Sequence, residues 1–126
     1  AKVPMNRSVH YLGELDYAEM PQFFGALDAG VIVNRHNAFS RFCFPQKFFE
    51  MVACRTPVCV AATGEVVDML EGCKQALFQP ENAVDMARAI RKQLEMPCYP
   101  NVELSSWDRS GAALSKYLEK LLEAER

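Results

Sequence analysis

The sequence predicts an α/β fold, a parallel-sheet Rossmann-like layer with helices on both faces. Three observations carry this: continuous β-branched runs, helical-period stretches between them, and the regular alternation of the two. The runs are Val31-Ile32-Val33 and Pro57-Val58-Cys59-Val60-Ala61. Each has the pattern of a strand buried on both faces rather than one half exposed to water.

The elements follow in order. Val9-His10-Tyr11-Leu12, closed by Gly13, is a short strand candidate. Asp16 offers an N-cap for a helix in which Met20, Phe23, Phe24 and Leu27 recur at helical spacing. After Val31–Val33 comes a polar loop, Asn34 to Ser40, then a helix from Pro45 to Cys54 with proline at its first position. Beyond the second strand, Thr63-Gly64 turns into a short helix carrying Val66, Val67 and Leu70, which Gly72 stops. Ala76-Leu77-Phe78 is a last short strand. Asn82 caps a helix with Val84, Ala87, Ile90 and Leu94 on one face, broken by Pro97. Ser105-x-x-Asp108 resembles a capping box opening a terminal helix over 105–126. Its stripe of Leu114, Leu118, Leu121 and Leu122, with Trp107, is expected to pack on the sheet or on a neighbouring domain.

Composition narrows the function. A chain of 126 residues is one domain's worth, half hydrophobic and 24% charged. Its formal net charge of -2 argues against a protein that coats nucleic acid or anionic lipid. No apolar run approaches the roughly 18 residues of a membrane span. Five cysteines, an odd count without a C-x-x-C pair, support neither a disulfide framework nor a zinc site. Cys54 and Cys59 read as small buried hydrophobes, and a reducing, cytoplasmic setting follows.

In open α/β sheets ligands sit at the C-terminal ends of strands. The loop after Val33 is the unusual one. Between Asn34 and Lys47 stand Arg35, Arg41 and Lys47 with no carboxylate, a local formal +3 in a net-negative chain. That loop feeds a helix N-terminus with free amide donors near Gln46 and Lys47, a setting suited to phosphate or diphosphate. Solvated loop charges fit the same spacing equally well. Glu50, among Phe48, Phe49, Met51, Val52 and Ala53, is a carboxylate that needs partners or exposure. It either accepts hydrogen bonds from ribose hydroxyls or pairs at the surface with Lys47 or Lys74.

Phe44-Pro45-Gln46-Lys47-Phe48-Phe49-Glu50-Met51-Val52-Ala53-Cys54-Arg55-Thr56-Pro57-Val58 resembles a segment of family-four glycosyltransferases and their relatives, enzymes of the GT-B fold. Their pattern there is P-x-K-x-x-E-x-M-A-x-G-x-P-V-V. Tyr11-Leu12-Gly13-Glu14-Leu15, Asp28-Ala29-Gly30-Val31, Ala62 to Asp68 and Leu77 to Asn82 are similar to four further landmarks, in order, across residues 8 to about 95.

The resemblance implies that residues 1–126 are the later part of a C-terminal nucleotide-sugar-binding domain, inactive as an isolated piece. It implies a hexosyltransferase-like parent, a nucleoside diphosphate sugar as donor and no metal ion or cofactor. Glu50 matches the second glutamate of an E-x7-E motif and would hold the ribose. Phe44, Gln46 and Lys47 would lie by the diphosphate and sugar, with Lys47 stabilising the leaving group, and Leu15 by the base; the family's basic pair lies in upstream sequence, and Arg41 or Arg35 is the candidate to replace it here. The first glutamate of the motif is Phe42 here, and Arg55 replaces a glycine after the helix.

Implied partners are the enzyme's N-terminal domain, a membrane touched peripherally by the parent protein, and a second copy should the leucine stripe be exposed. Polysaccharide biosynthesis is the implied setting. A non-catalytic glycosyltransferase-like scaffold is the alternative, which Phe42 favours, and a nucleotide-sugar epimerase of the same architecture is a third reading.

Overall fold

The computed structural model describes residues 8–42 and 45–124. Among them three strands, β1 (Gly30–Ile32), β2 (Val58–Ala61) and β3 (Leu77–Phe78), form a parallel sheet in the order β1-β2-β3. Gly30 is opposite Val58 and Val60 is opposite Leu77. A 3₁₀ turn (Tyr17–Glu19) and α1 (Met20–Gly25) precede β1. Between β1 and β2 lie α2 (Ala38–Phe42) and α3 (Gln46–Ala53). Between β2 and β3 lie α4 (Val66–Met69) and a 3₁₀ helix (Glu71–Ala76). Two longer helices follow, α5 (Ala83–Glu95) and α6 (Trp107–Ala124).

β2 is buried throughout, and its alternating side chains serve two cores. Val58 and Val60 join Phe24, Phe48, Met51, Val66 and Leu70 beneath α1, α3 and α4. Cys59 and Ala61 join Phe78 and Ala89 beneath α5. Helices therefore cover both faces, as expected of a Rossmann-like layer.

β1 departs from the expectation of burial on both faces. Ile32 is buried, but Val31 is 38% and Val33 62% exposed. The reason is coverage, since α5 packs on β2 and β3. Val9–Leu12 is no strand: Tyr11 is 82% exposed, and no described strand pairs with the segment.

Several boundaries also move. Pro45 is the N-cap of α3, in extended conformation, so the helix starts one residue later than expected. Gly72 does not end a helix; the chain tightens into 3₁₀ geometry through it, with a kink at Cys73. Ala76 falls inside that turn and β3 begins at Leu77. Asn82 does cap α5, its side chain accepting from the Asp85 amide at 3.0 Å. The cap of α6 is Ser106, whose hydroxyl accepts from the Arg109 amide at 3.2 Å, not Ser105. No residue of α6 is buried and Trp107 is 85% exposed, so the leucine stripe does not pack on the sheet.

The cysteines bring the largest correction. Cys73 and Cys98 form a disulfide with Cα atoms 5.8 Å apart, although neither their spacing nor the odd count signalled it. Twenty-five residues separate them in sequence, and it is the return of the chain after α5 that brings them together. Cys54 and Cys59 are free thiols, the first half-buried and the second fully buried.

Candidate functional site

α3 is built to aim one carboxylate sideways. Phe48 and Met51 are buried toward the sheet, which fixes the helix's rotation. Glu50, about 100° round from Met51 and about 160° from Phe48, then points along the seam between α3 and α1 rather than into the core. There it lines a cavity of about 190 Å³ with Tyr17, Met20, Pro21, Phe24, Ala53 and Cys54. Glu50 is half-buried and forms no ion pair with Lys47 or Lys74. A carboxylate with no partner among the described residues, at the rim of an apolar cavity, is available to donors on a ligand.

The end of α3 is held by backbone geometry. The Thr56 amide donates to the Met51 carbonyl at 2.9 Å and the Arg55 amide to Val52 at 3.0 Å, a Schellman closure. Arg55 takes the left-handed conformation, φ 56°, at this turn. This is the position where the resembling family carries glycine, and Arg55 keeps the turn at a cost of roughly 1 kcal/mol. Thr56 then bonds the Phe24 carbonyl at 2.7 Å, tying α3's end to α1 and so fixing the cavity walls.

At the other end of α3, Phe48 closes a tight turn onto the Pro45 carbonyl at 2.9 Å. The Gln46 and Lys47 amides donate to nothing among the described residues, and both side chains are exposed. A helix start with open donors and a lysine is suited to an anion.

The loop after β1 is more ordered than expected. Asn37 accepts from the Ser40 amide at 2.9 Å and starts α2, a helix absent from the sequence reading. Gly64, with φ 59°, turns beneath it so closely that a Cβ there would meet the Arg41 carbonyl at 2.8 Å. The loops after β1 and β2 therefore form one packed unit at the strand ends. Arg41's guanidinium lies 6.0 Å from the Phe42 ring centre, and both side chains are exposed.

Of the six expected site residues, Gln46, Lys47 and Glu50 share α3, and only Glu50 lines the cavity. Arg41 lies on α2, and Leu15 is half-buried just before the 3₁₀ turn, outside the cavity lining. Phe44 lies outside the described residues. The side chains of Tyr17 and Cys54 are lining residues that sequence reasoning missed. Tyr17 continues the helical spacing of Met20 and Phe24, but nothing in that spacing says that it lines a cavity. No described group of three or more His, Cys, Asp or Glu residues could hold a metal ion. No described helix is long and apolar enough to cross a membrane.

A layered parallel sheet with helices on both faces agrees with the fold that the resemblance in the sequence implies. The family model of glycosyl transferases group 1 matches residues 1–96. The chain belongs to that family. No curated protein and no solved structure matches it. The match covers every strand, the cavity and α5, and stops before α6. α6 lies outside both the match and the core.

Proposed function

We propose that the chain binds the nucleoside diphosphate of a sugar donor, and that the glycosyltransferase containing it moves the sugar, of hexose type, to an acceptor. The observation that carries this reading is Glu50, a carboxylate unpaired among the described residues, at the edge of an apolar cavity on a helix whose first amides have no acceptor among those residues. The cavity is large enough for a ring system but too small for a whole donor. Base and ribose would enter between α1 and α3, with Tyr17, Met20 and Leu15 near the base and Glu50 accepting from ribose hydroxyls. The diphosphate would lie outside, along Gln46 and Lys47, with Arg41 and Phe44 beside it.

In the transfer step the bond between the sugar's anomeric carbon and the diphosphate oxygen breaks, leaving negative charge on the diphosphate. The Lys47 ammonium and the Gln46 and Lys47 amides would stabilise that charge, and more so as it grows. Lys47 is the one residue here given a catalytic role. No protein group supplied by these residues transfers a proton, and the reading needs no cofactor or metal ion. The acceptor side would come from a second domain, the family's N-terminal one. Polysaccharide assembly in the cytoplasm, with the enzyme resting peripherally on a membrane, is the setting proposed for that reaction.

The second reading is a scaffold without donor binding. Phe42, 87% exposed at the position of the first motif glutamate, favours it, because a phenyl ring offers a sugar hydroxyl no acceptor. Calorimetric titration with UDP, GDP and ADP separates the two. Binding of one of them, weakened about five- to hundredfold in Glu50→Gln, supports the donor site; this corresponds to roughly 1–3 kcal/mol. No heat with any of the three leaves the scaffold standing.

A further inference from the structure

The segment between α5 and α6, residues 97–106, contains neither helix nor strand yet crosses the far end of α3. It crosses on loosely packed ground. A cavity of about 270 Å³ separates Tyr99, Asn101 and Leu104 from Val52 and Thr56. A second, of about 370 Å³, lies between Leu104 and Trp107 on one side and Phe49 and Met69 on the other. Val102 packs against the main core, and Arg55 stands 5.5 Å from the Tyr99 ring centre. The firm anchorage is concentrated at Cys98. Its amide donates to Gln93 Oε1 at 2.8 Å, its carbonyl accepts from Gln93 Nε2 at 3.2 Å, and its sulfur is bonded to Cys73.

We infer that the Cys73–Cys98 disulfide is a redox-operated latch: oxidised, it clamps residues 97–106 across the end of α3; reduced, it lets that segment open and α6 swing with it. This inference does not depend on the donor reading. The two sulfurs are unequal, since Cys73 is 4% exposed and Cys98 half-buried. A dithiol reductant attacks at the more open Cys98 sulfur, forming a mixed disulfide while Cys73 leaves as its thiolate. The reductant's second thiolate then releases Cys98. The dithiol ends as a disulfide, the protein as two thiols, and two electrons have passed. Without the bond, the segment keeps the Gln93 hydrogen bonds to Cys98, the packing of Val102 and the Arg55–Tyr99 contact, none of them covalent, and it has cavities on its inner side. Such a segment opens locally long before the sheet unfolds.

The experiment equilibrates the full chain in dithiothreitol buffers from oxidising to reducing, blocks free thiols with iodoacetamide, and maps the labels by peptide mass. Cys73 and Cys98 should gain label together in one two-electron step, with circular dichroism unchanged and Cys59 unlabelled. Chymotrypsin applied to the blocked samples should cut after Leu104 about tenfold faster or more in the reduced form. A Cys73→Ser, Cys98→Ser double variant should be cut at the fast rate in every buffer. Three results overturn the inference. They are full labelling of Cys98 in the oxidising buffers, survival of the bond under reduction in the folded chain, and cleavage after Leu104 that agrees within about twofold in both forms. Should the double variant not fold, the reduced wild-type chain decides alone.

Discussion

Gln93→Leu is the sharpest test of how this small domain is held together. Gln93 is fully buried on α5, a helix whose remaining buried residue is Ala89. Its amide nitrogen donates to the Val58 carbonyl at 2.7 Å as well as to Cys98. The Val58 carbonyl needs that donor for a geometric reason. The preceding carbonyl, of Pro57, accepts from Gly30 on the β1 side, so Val58's points toward β3. But β3 pairs with β2 only from Val60 onward, and no strand amide is there to meet it. Leucine matches glutamine in bulk and removes all of these bonds. A buried carbonyl left unpaired costs about 1–3 kcal/mol, and the half-buried Cys98 groups cost less. The expected loss is about 3 kcal/mol, which lowers the melting temperature by roughly 10 °C in a chain of this size. Urea denaturation of both proteins in oxidising buffer measures it. A loss below about 1 kcal/mol would show that water replaces the amide, and that Gln93 does not close the ladder.

Two further perturbations probe the strand-end loops and the α5 face. Gly64→Ala combines a left-handed residue with a Cβ 2.8 Å from the Arg41 carbonyl and 3.3 Å from that of Ser40. Both neighbours are backbone, so destabilisation by about 2 kcal/mol and displacement of α2 are expected in urea melts; a neutral change would mean the two loops are not packed as one. Burial pushes the Cys59 thiol up to about 11, against a smaller downward pull from Arg88. A folded-state value above the unfolded one means stability is intact below pH 9 and falls as pH rises through about 9 to 11. The loss is up to about 3 kcal/mol, and Cys59→Ala should lack this share of the alkaline decline. Equal slopes in the two proteins between pH 9 and 11 would refute it.

The fold was legible where burial is local. β2 reads as a buried strand because Val58 to Ala61 face helices on both sides, and α5 reads from Asn82 onward because its cap is a short-range bond. β1 misled because burial on both faces is decided by the reach of α5, which no property of Val31 encodes. α2 was missed because Asn37 was read as one more polar loop residue, although its side chain sits three residues before the Ser40 amide it caps. The Cys73–Cys98 bond depends on where residues 96–98 return, a tertiary fact. In the site, Glu50 was legible as a carboxylate out of place among apolar residues. Tyr17 and Cys54 were not, because lining a cavity depends on how α1 and α3 lie against each other.

That packing explains why a carboxylate is tolerated at position 50. If α3 rotated to bury Glu50, Phe48 and Met51 would leave the core, exposing two large side chains worth roughly 2 kcal/mol each. If it rotated the other way, the Schellman turn would lose the register that lets Thr56 reach the Phe24 carbonyl. The core and the turn therefore set one orientation between them. In that orientation Glu50 borders the cavity without being desolvated in full, which is how a carboxylate is accommodated there without a lysine beside it. The same rotation leaves the Gln46 and Lys47 amides at the helix start, with no acceptor among the described residues. The proposed ligand, with hydroxyls at one end and negative charge at the other, would satisfy both groups with no movement of α3, and in this sense packing, rather than any single residue, would prepare the site.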